Sequence, residues 1–129
     1  MQNYNVLIIE YLISHFYSKN HPQIVNQWYD NIIESIVKCK SPNSPMLIII
    51  NDVDSINTGR DTFINLVDKL MARGYDCEYI KMRFKINSHY SDSNHYQNQR
   101  NCFNVDYDFQ QKYCAAQECT SAQMIIEVR

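Results

Sequence analysis

A short run of apolar residues constrains the fold of this chain more than any other feature. Residues 46–50 read Met-Leu-Ile-Ile-Ile, and they follow the breaker Ser-Pro-Asn-Ser-Pro at residues 41–45. A short continuous apolar run is typical of a strand that is covered on both faces. The pattern therefore predicts a central strand of a layered α/β structure.

Amphipathic segments on either side of this strand predict helices. Residues 22–39 place apolar side chains in pairs four residues apart, which gives one broad apolar helical face. Residues 4–18 suit either a strand at their start or a helical face, and we favour a helix. After the strand, Thr58 and Asp61 resemble a capping box, and Gly74 lies where the C-terminal cap of the helix is expected.

Two later segments alternate between apolar and polar side chains, which predicts strands. In residues 78–87 one face carries Ile80, Met82, Phe84 and Ile86, and the other carries the basic ladder, defined as Lys81, Arg83 and Lys85. We expect the apolar face to be core and the basic ladder to be exposed. Residues 103–109 alternate in the same way, and an antiparallel pair of these strands would set acids across from the basic ladder. Residues 110–119 then suit a helix and residues 124–128 a last strand.

The predicted order from residue 46 onward is βαββαβ, preceded by two helices. This order predicts an α/β (α+β) sandwich of the ferredoxin-like type with a mixed four-stranded sheet. Residues 1–41 are expected to form an N-terminal helical extension that packs on one domain of residues 46–129.

Two segments carry a resemblance to a known family. Leu47-Ile48-Ile49-Ile50-Asn51-Asp52 resembles the first-strand signature of the RNA recognition motif, and residues 100–107, Arg-Asn-Cys-Phe-Asn-Val-Asp-Tyr, resemble its third-strand signature. The resemblance covers about two-thirds of the chain. It implies a βαββαβ sandwich that binds single-stranded RNA, with base-stacking positions that correspond to Ile48, Cys102 and Asn104.

The first functional hypothesis is a non-catalytic module that binds single-stranded RNA. The basic ladder can track phosphates, and the long polar and aromatic loop after it can stack on unpaired bases. The alternatives are a solvated strand face neutralised by Asp106 and Asp108, and a loop that is merely exposed. The predicted RNA-binding residues are Lys81, Arg83, Lys85, His89, Tyr90, Tyr96, Arg100 and Asn104.

Two further hypotheses stay open. The same fold can serve protein interaction or assembly, with the helix of Trp28 and Tyr29 as part of the docking surface. A Mg²⁺-dependent phosphoryl-transfer enzyme would instead gather Glu10, Asp52 and Asp54 as a carboxylate cluster. The two aspartates also suit the simpler role of capping the turn after the strand.

Composition narrows the remaining classes of function. The net charge of −2 means that RNA contact needs a local basic patch. With only two glycines the chain has no phosphate-cradling loop, which excludes P-loop and dinucleotide-binding functions. Five cysteines without C-x-x-C spacing predict a reducing, intracellular setting, and with the histidines they match no zinc module. We predict no cofactor, no metal site and no membrane partner.

Overall fold

A mixed β-sheet with helices packed on one face organises this chain. The computed structural model describes residues 5–18, 22–53, 58–84, 97–99, 103–104, 107–113, 118–119 and 121–129. The strands are β1 (Val6–Glu10), β2 (Met46–Val53), β3 (Cys77–Phe84), β4 (Gln97–Gln99), β5 (Phe103–Asn104), β6 (Glu118–Cys119) and β7 (Ser121–Val128). The helices are α1 (Ile13–Ser18), α2 (Pro22–Cys39), α3 (Phe63–Ala72) and α4 (Tyr107–Tyr113), with a 3₁₀ segment at Thr58–Thr62. The predicted mixed α/β character is confirmed.

Strand β2 lies inside the sheet, as the apolar run predicts. Five strands are hydrogen-bonded in the order β1-β2-β7-β3-β4. β1 is parallel to β2, β7 is antiparallel to both β2 and β3, and the short β4 is parallel to β3. Strands β5 and β6 form a separate two-stranded sheet.

The hydrophobic core lies between the sheet and helices α1, α2 and α3. Met46, Ile48 and Ile50 on β2 are fully buried, as are their cross-strand partners on β7. Complete burial of one such side chain contributes about 1.5–3 kcal/mol, so this layer is the main source of stability. The largest buried side chains of the helices are Ile13, Tyr29, Ile33, Ile36, Phe63, Leu66 and Leu70.

The opposite face of β2 is open, so the prediction of a strand covered on both faces is wrong. Leu47 is 36% exposed, although its neighbour Ile48 is completely buried. The core residues of α1, α2 and α3 all cluster with Ile48 and Ile50, so within the described part of the chain these three helices cover only this face of β2. Burial in the core therefore does not explain the apolar residues on that other face.

Helix α2 and the C-terminal end of α3 follow their sequence patterns. The capping box predicted at Thr58 and Asp61 is wrong, because Thr58–Thr62 form a 3₁₀ segment and Thr62 is the N-cap of α3. The predicted helix at 22–39 is confirmed as Pro22–Cys39. Past the end of α3, Gly74 has a φ of 91°, a left-handed conformation that favours glycine. The Gly74 N–H donates to the Met71 carbonyl (2.9 Å) and the Tyr75 N–H to the Leu70 carbonyl (3.2 Å), which is a Schellman ending. The predicted cap at Gly74 is thus confirmed.

The helix favoured for residues 4–18 is wrong in its first half. Residues 6–10 form β1, which pairs with β2 in parallel from Val6↔Leu47 to Glu10↔Asn51. Tyr11, with a φ of 53°, turns the chain out of the strand, and its N–H donates to the Asn51 carbonyl at 2.9 Å. The predicted helical face survives only as α1, because pairing with β2 satisfies the backbone of residues 6–10.

The strand predicted at residues 103–109 is also wrong. Within the described residues this segment forms the two-residue β5 and the start of α4. Strand β3 pairs instead with β7, over the full eight residues from Cys77↔Val128 to Phe84↔Ser121. The helix predicted at 110–119 lies at Tyr107–Tyr113, whereas the last strand is confirmed and extends over Ser121–Val128.

The loop of residues 40–45 joins α2 to β2 at the predicted boundary. The Lys40 ammonium group donates to the carbonyl oxygens of Ser41 (3.1 Å) and Ser44 (2.8 Å), which orders this turn. The division into a 1–41 extension and a 46–129 domain stays a prediction. Across the described ranges, none of the helices combines the length and the apolar character that crossing a membrane requires.

Candidate docking face

The sheet face opposite to the helices carries a regular lattice of side chains. Strand register sets these residues in three rows across four strands, because cross-strand partners point to the same side of a sheet. We call this surface the open face. Its rows are Val6-Leu47-Glu127-Glu78, Ile8-Ile49-Ile125-Ile80 and Glu10-Asn51-Gln123-Met82.

The middle row consists of isoleucine alone, and we call it the isoleucine row. Ile8 pairs with Ile49, Ile49 with Ile125, and Ile125 with Ile80, so the row crosses β1, β2, β7 and β3 without a break. Ile8 is 57% exposed and Ile80 is 52% exposed, whereas the two inner isoleucines are half-buried by their neighbours. Both ends of the row thus present aliphatic surface to solvent.

The apolar surface continues from the isoleucine row into two opposite corners of the lattice. Val6, which is 54% exposed, and Leu47 occupy one corner, and the half-buried Met82 occupies the other. The two remaining corners hold carboxylates, with Glu78 and Glu127 at one and Glu10 at the other. The result is a diagonal apolar band with acidic side chains on both flanks.

Arg129 organises the acidic corner formed by Glu78 and Glu127. These two glutamates face each other directly across β3 and β7, a like-charge pairing that is unfavourable by itself. The Arg129 guanidinium group donates to Glu127 at 2.9 Å and to Glu78 at 3.0 Å, and Asp76 lies 4.0 Å away. The hydrogen bond from Arg129 lowers the pKa of Glu127, and its two glutamate partners raise the pKa of Arg129.

A depression of about 510 Å³ lies beside this corner. Leu47, Ile80 and Ile125 supply its apolar lining, and Cys77 is also part of its wall. Burial, aided by the Asp76 carboxylate, raises the pKa of the Cys77 thiol. Because the thiolate is the nucleophilic form of cysteine, this shift favours an unreactive thiol at Cys77.

Lys81 and Arg83 of the basic ladder lie on the helix-covered side of β3, so the expected assignment of its two faces is wrong. Arg83 is only 4% exposed and pairs across the strands with the buried Ala122. Lys81 is half-buried, with its ammonium group 5.8 Å from the centre of the Tyr79 ring. The alternating sequence pattern correctly separated the residues of β3 into two faces, but the apolar face is the one that belongs to the open face.

Most of the other predicted RNA-binding residues lie outside the described residues. These are Lys85, His89, Tyr90, Tyr96 and Arg100. Asn104 belongs to β5, where it pairs with Glu118. Ile48, to which the resemblance assigns base stacking, is fully buried among the helices.

Two carboxylates of the phosphoryl-transfer hypothesis, those of Glu10 and Asp52, lie on opposite faces of the sheet. Glu10 belongs to the open face, whereas Asp52 is 1% exposed on the helix side of the sheet. The Asp52 oxygens accept hydrogen bonds from the backbone N–H groups of Ser14 (2.9 Å) and Val53 (2.8 Å). Asp54 lies outside the described residues. Among those that are described, no three His, Cys, Asp or Glu side chains are grouped as a metal ion would require.

Trp28 and Tyr29 pack toward the core, and the docking surface expected on their helix stays a prediction. Tyr29 is fully buried, and the half-buried Trp28 packs against Phe16 with ring centres 6.2 Å apart. The candidate surface is the open face, which the sequence reasoning missed. Its signal was the presence of apolar residues at consecutive positions of β2, where a half-covered strand would alternate.

Comparison with known proteins adds no identification to this geometry. No protein-family model matches the chain, no curated protein matches its sequence, and no solved structure matches its fold.

Proposed function

We propose that this chain is a non-catalytic binding module that docks a partner protein on its open face. The observation that carries the proposal is the isoleucine row, whose two end residues stay more than half exposed. Large contiguous apolar patches are uncommon on monomeric proteins and often mark interaction sites. Covering the exposed parts of Val6, Ile8 and Ile80 would contribute roughly 1 kcal/mol each to binding.

The chemistry of the open face favours protein over nucleic acid as its ligand. Phosphate recognition needs cations, and the lattice itself contains three glutamates and no lysine or arginine. Arg129, beside the lattice, is already engaged by Glu78 and Glu127. A polyanion would therefore meet a surface of its own sign.

RNA binding remains a second proposal, for the other side of β3. It is supported by Lys81 and the exposed Tyr79, a cation and an aromatic ring that lie next to each other on that side. The resemblance to the RNA recognition motif and the ferredoxin-like arrangement stay predictions. The mixed α/β sheet supports them at the level of fold class only.

Crosslinking from a single position tests the docking proposal. A photoreactive amino acid replaces Ile80, or Met71 on α3 as a control of similar exposure, and each protein is irradiated in an extract of its source cells. A partner crosslinked only from position 80 is then purified and titrated calorimetrically. We expect Ile80→Ser to weaken binding by about tenfold and Met71→Ser to leave it unchanged. Equal affinity of the Ile80→Ser protein overturns the proposal.

The neighbouring residue Lys81 separates the two functions. Lys81→Ala should leave the protein complex intact, because Lys81 and Ile80 lie on opposite faces of β3. Fluorescence anisotropy of labelled single-stranded RNA at two salt concentrations tests RNA binding by the same variants. Salt-sensitive binding that is lost in Lys81→Ala and kept in Ile80→Ser would favour RNA as the ligand.

A further inference from the structure

We propose that the occupant of the open face is a cationic amphipathic helix of a partner protein, laid along the diagonal apolar band. This inference rests on the proposed docking function and specifies the chemistry of the partner. It combines the shape of the apolar band with the sign of the charges on its two flanks.

The shape of the band suits a helix of three to four turns. Neighbouring strands lie about 4.8 Å apart and residues rise about 3.3 Å along a strand, so the diagonal from Val6 to Met82 is about 20 Å long. A helix of about 13 residues covers the same length. Such a helix carries one apolar stripe with side chains at spacings of three and four residues.

Charges beside the band determine which helix fits. Around the open face the described residues place four carboxylates, on Glu10, Asp76, Glu78 and Glu127, against the cations of Arg129 and Lys40. The Lys40 ammonium group is held by two carbonyl oxygens of its own loop. Because carboxylates flank both sides of the band, the complementary helix has lysine or arginine on both sides of its apolar stripe.

Charge also argues against a second copy of this chain as the occupant. Two open faces brought together would oppose surfaces of the same net sign, and like charges across an interface disfavour association. Pairing of another strand with the free edge of β1 would extend the sheet and leave the isoleucine row exposed. A cationic helix covers the apolar band and neutralises its flanks in one contact.

A designed peptide of about 14 residues, with a leucine stripe flanked by lysines, tests this inference by fluorescence anisotropy. The controls are the same peptide with glutamate for lysine and a scrambled peptide of equal composition without an apolar face. We expect the lysine peptide to bind at least about tenfold more tightly than either control. Raising the salt concentration should weaken its binding several-fold without abolishing it.

Protein variants locate the binding site. Ile80→Ser should weaken lysine-peptide binding by about tenfold and Glu10→Gln by about threefold, whereas Met71→Ser should change nothing. Thermal melting confirms that each variant is folded. Equal binding of the lysine and glutamate peptides, or binding that Ile80→Ser does not affect, overturns the inference.

Sedimentation equilibrium separates this inference from the proposed function. If the lysine peptide fails to bind but the wild-type chain self-associates and Ile80→Ser does not, the docking face stands and its occupant is a second copy. If the peptide fails, the chain stays monomeric, and the crosslinking test shows no partner at position 80, both proposals are overturned.

Discussion

The carboxylate of Asp52 joins the end of β2 to the start of α1. Its oxygens accept partly buried hydrogen bonds from the Ser14 and Val53 N–H groups. The first N–H groups of a helix have no partner within the helix, so Asp52 satisfies a donor that would otherwise be buried alone. The sequence indicated a capping role for this residue. It did not reveal that the capped group lies 38 residues away.

Replacement of Asp52 by alanine should therefore lower the free energy of unfolding by about 1–3 kcal/mol, since the Ser14 N–H would lose its acceptor. Asp68→Ala, at an exposed position of α3, should change it by less than about 0.5 kcal/mol. Urea denaturation of the two variants gives both values. Identical midpoints would contradict the structural role of Asp52.

At the scale of elements, Arg129 ties β7 to β3. The guanidinium group bridges two glutamates that would otherwise repel each other across these strands. The hydrogen bond holds the pKa of Glu127 below its ordinary value of 4.5. A lowered carboxyl pKa contributes stability above the ordinary value, and this contribution disappears as the pH falls through the lowered pKa.

We accordingly expect Arg129→Ala to melt at a lower temperature than the wild type at pH 7. The gap should close as the pH drops below about 4, where protonation of Glu127 removes its attraction to Arg129. Differential scanning calorimetry of both proteins across this pH range measures the difference in melting temperature. A gap that persists at pH 2 would mean that Arg129 acts by packing.

Sequence patterns predicted those elements that are determined by residues close together in the chain. The apolar pairs of α2 and the glycine at the end of α3 depend on neighbours within a few residues, and both were confirmed. The covered face of β3 depends on which strand pairs with it and where the helices lie, which alternation alone does not reveal. The same limit hid the open face, because Leu47 and Ile80 look like core residues until the register is known.

At the scale of the whole molecule, the two faces of the sheet have different roles. The helix-covered face supplies the core, whereas the isoleucine row contributes exposed surface. If the row serves binding, its end residues can change without loss of the fold. This separation distinguishes a docking surface from an imperfectly covered core.

The double variant Ile8→Thr/Ile80→Thr should thus keep a melting temperature within a few degrees of the wild type, because threonine preserves the β-branched shape and both sites are half exposed. Ile50→Thr, at a fully buried site of β2, should destabilise the protein by at least about 2 kcal/mol. Circular dichroism melts provide the comparison. Equal losses of stability in the two variants would show that the isoleucine row is part of the core.

The central position of β7 also governs how this protein can fold during synthesis. β7 comes after both β2 and β3 along the chain, yet it lies between them and pairs with both. While the chain emerges from the ribosome, β2 and β3 have no strand to join them until residues 121–128 appear. The nascent chain can form the β1-β2 pair and its helices first, but it joins β2 to β3 only after β7 has emerged.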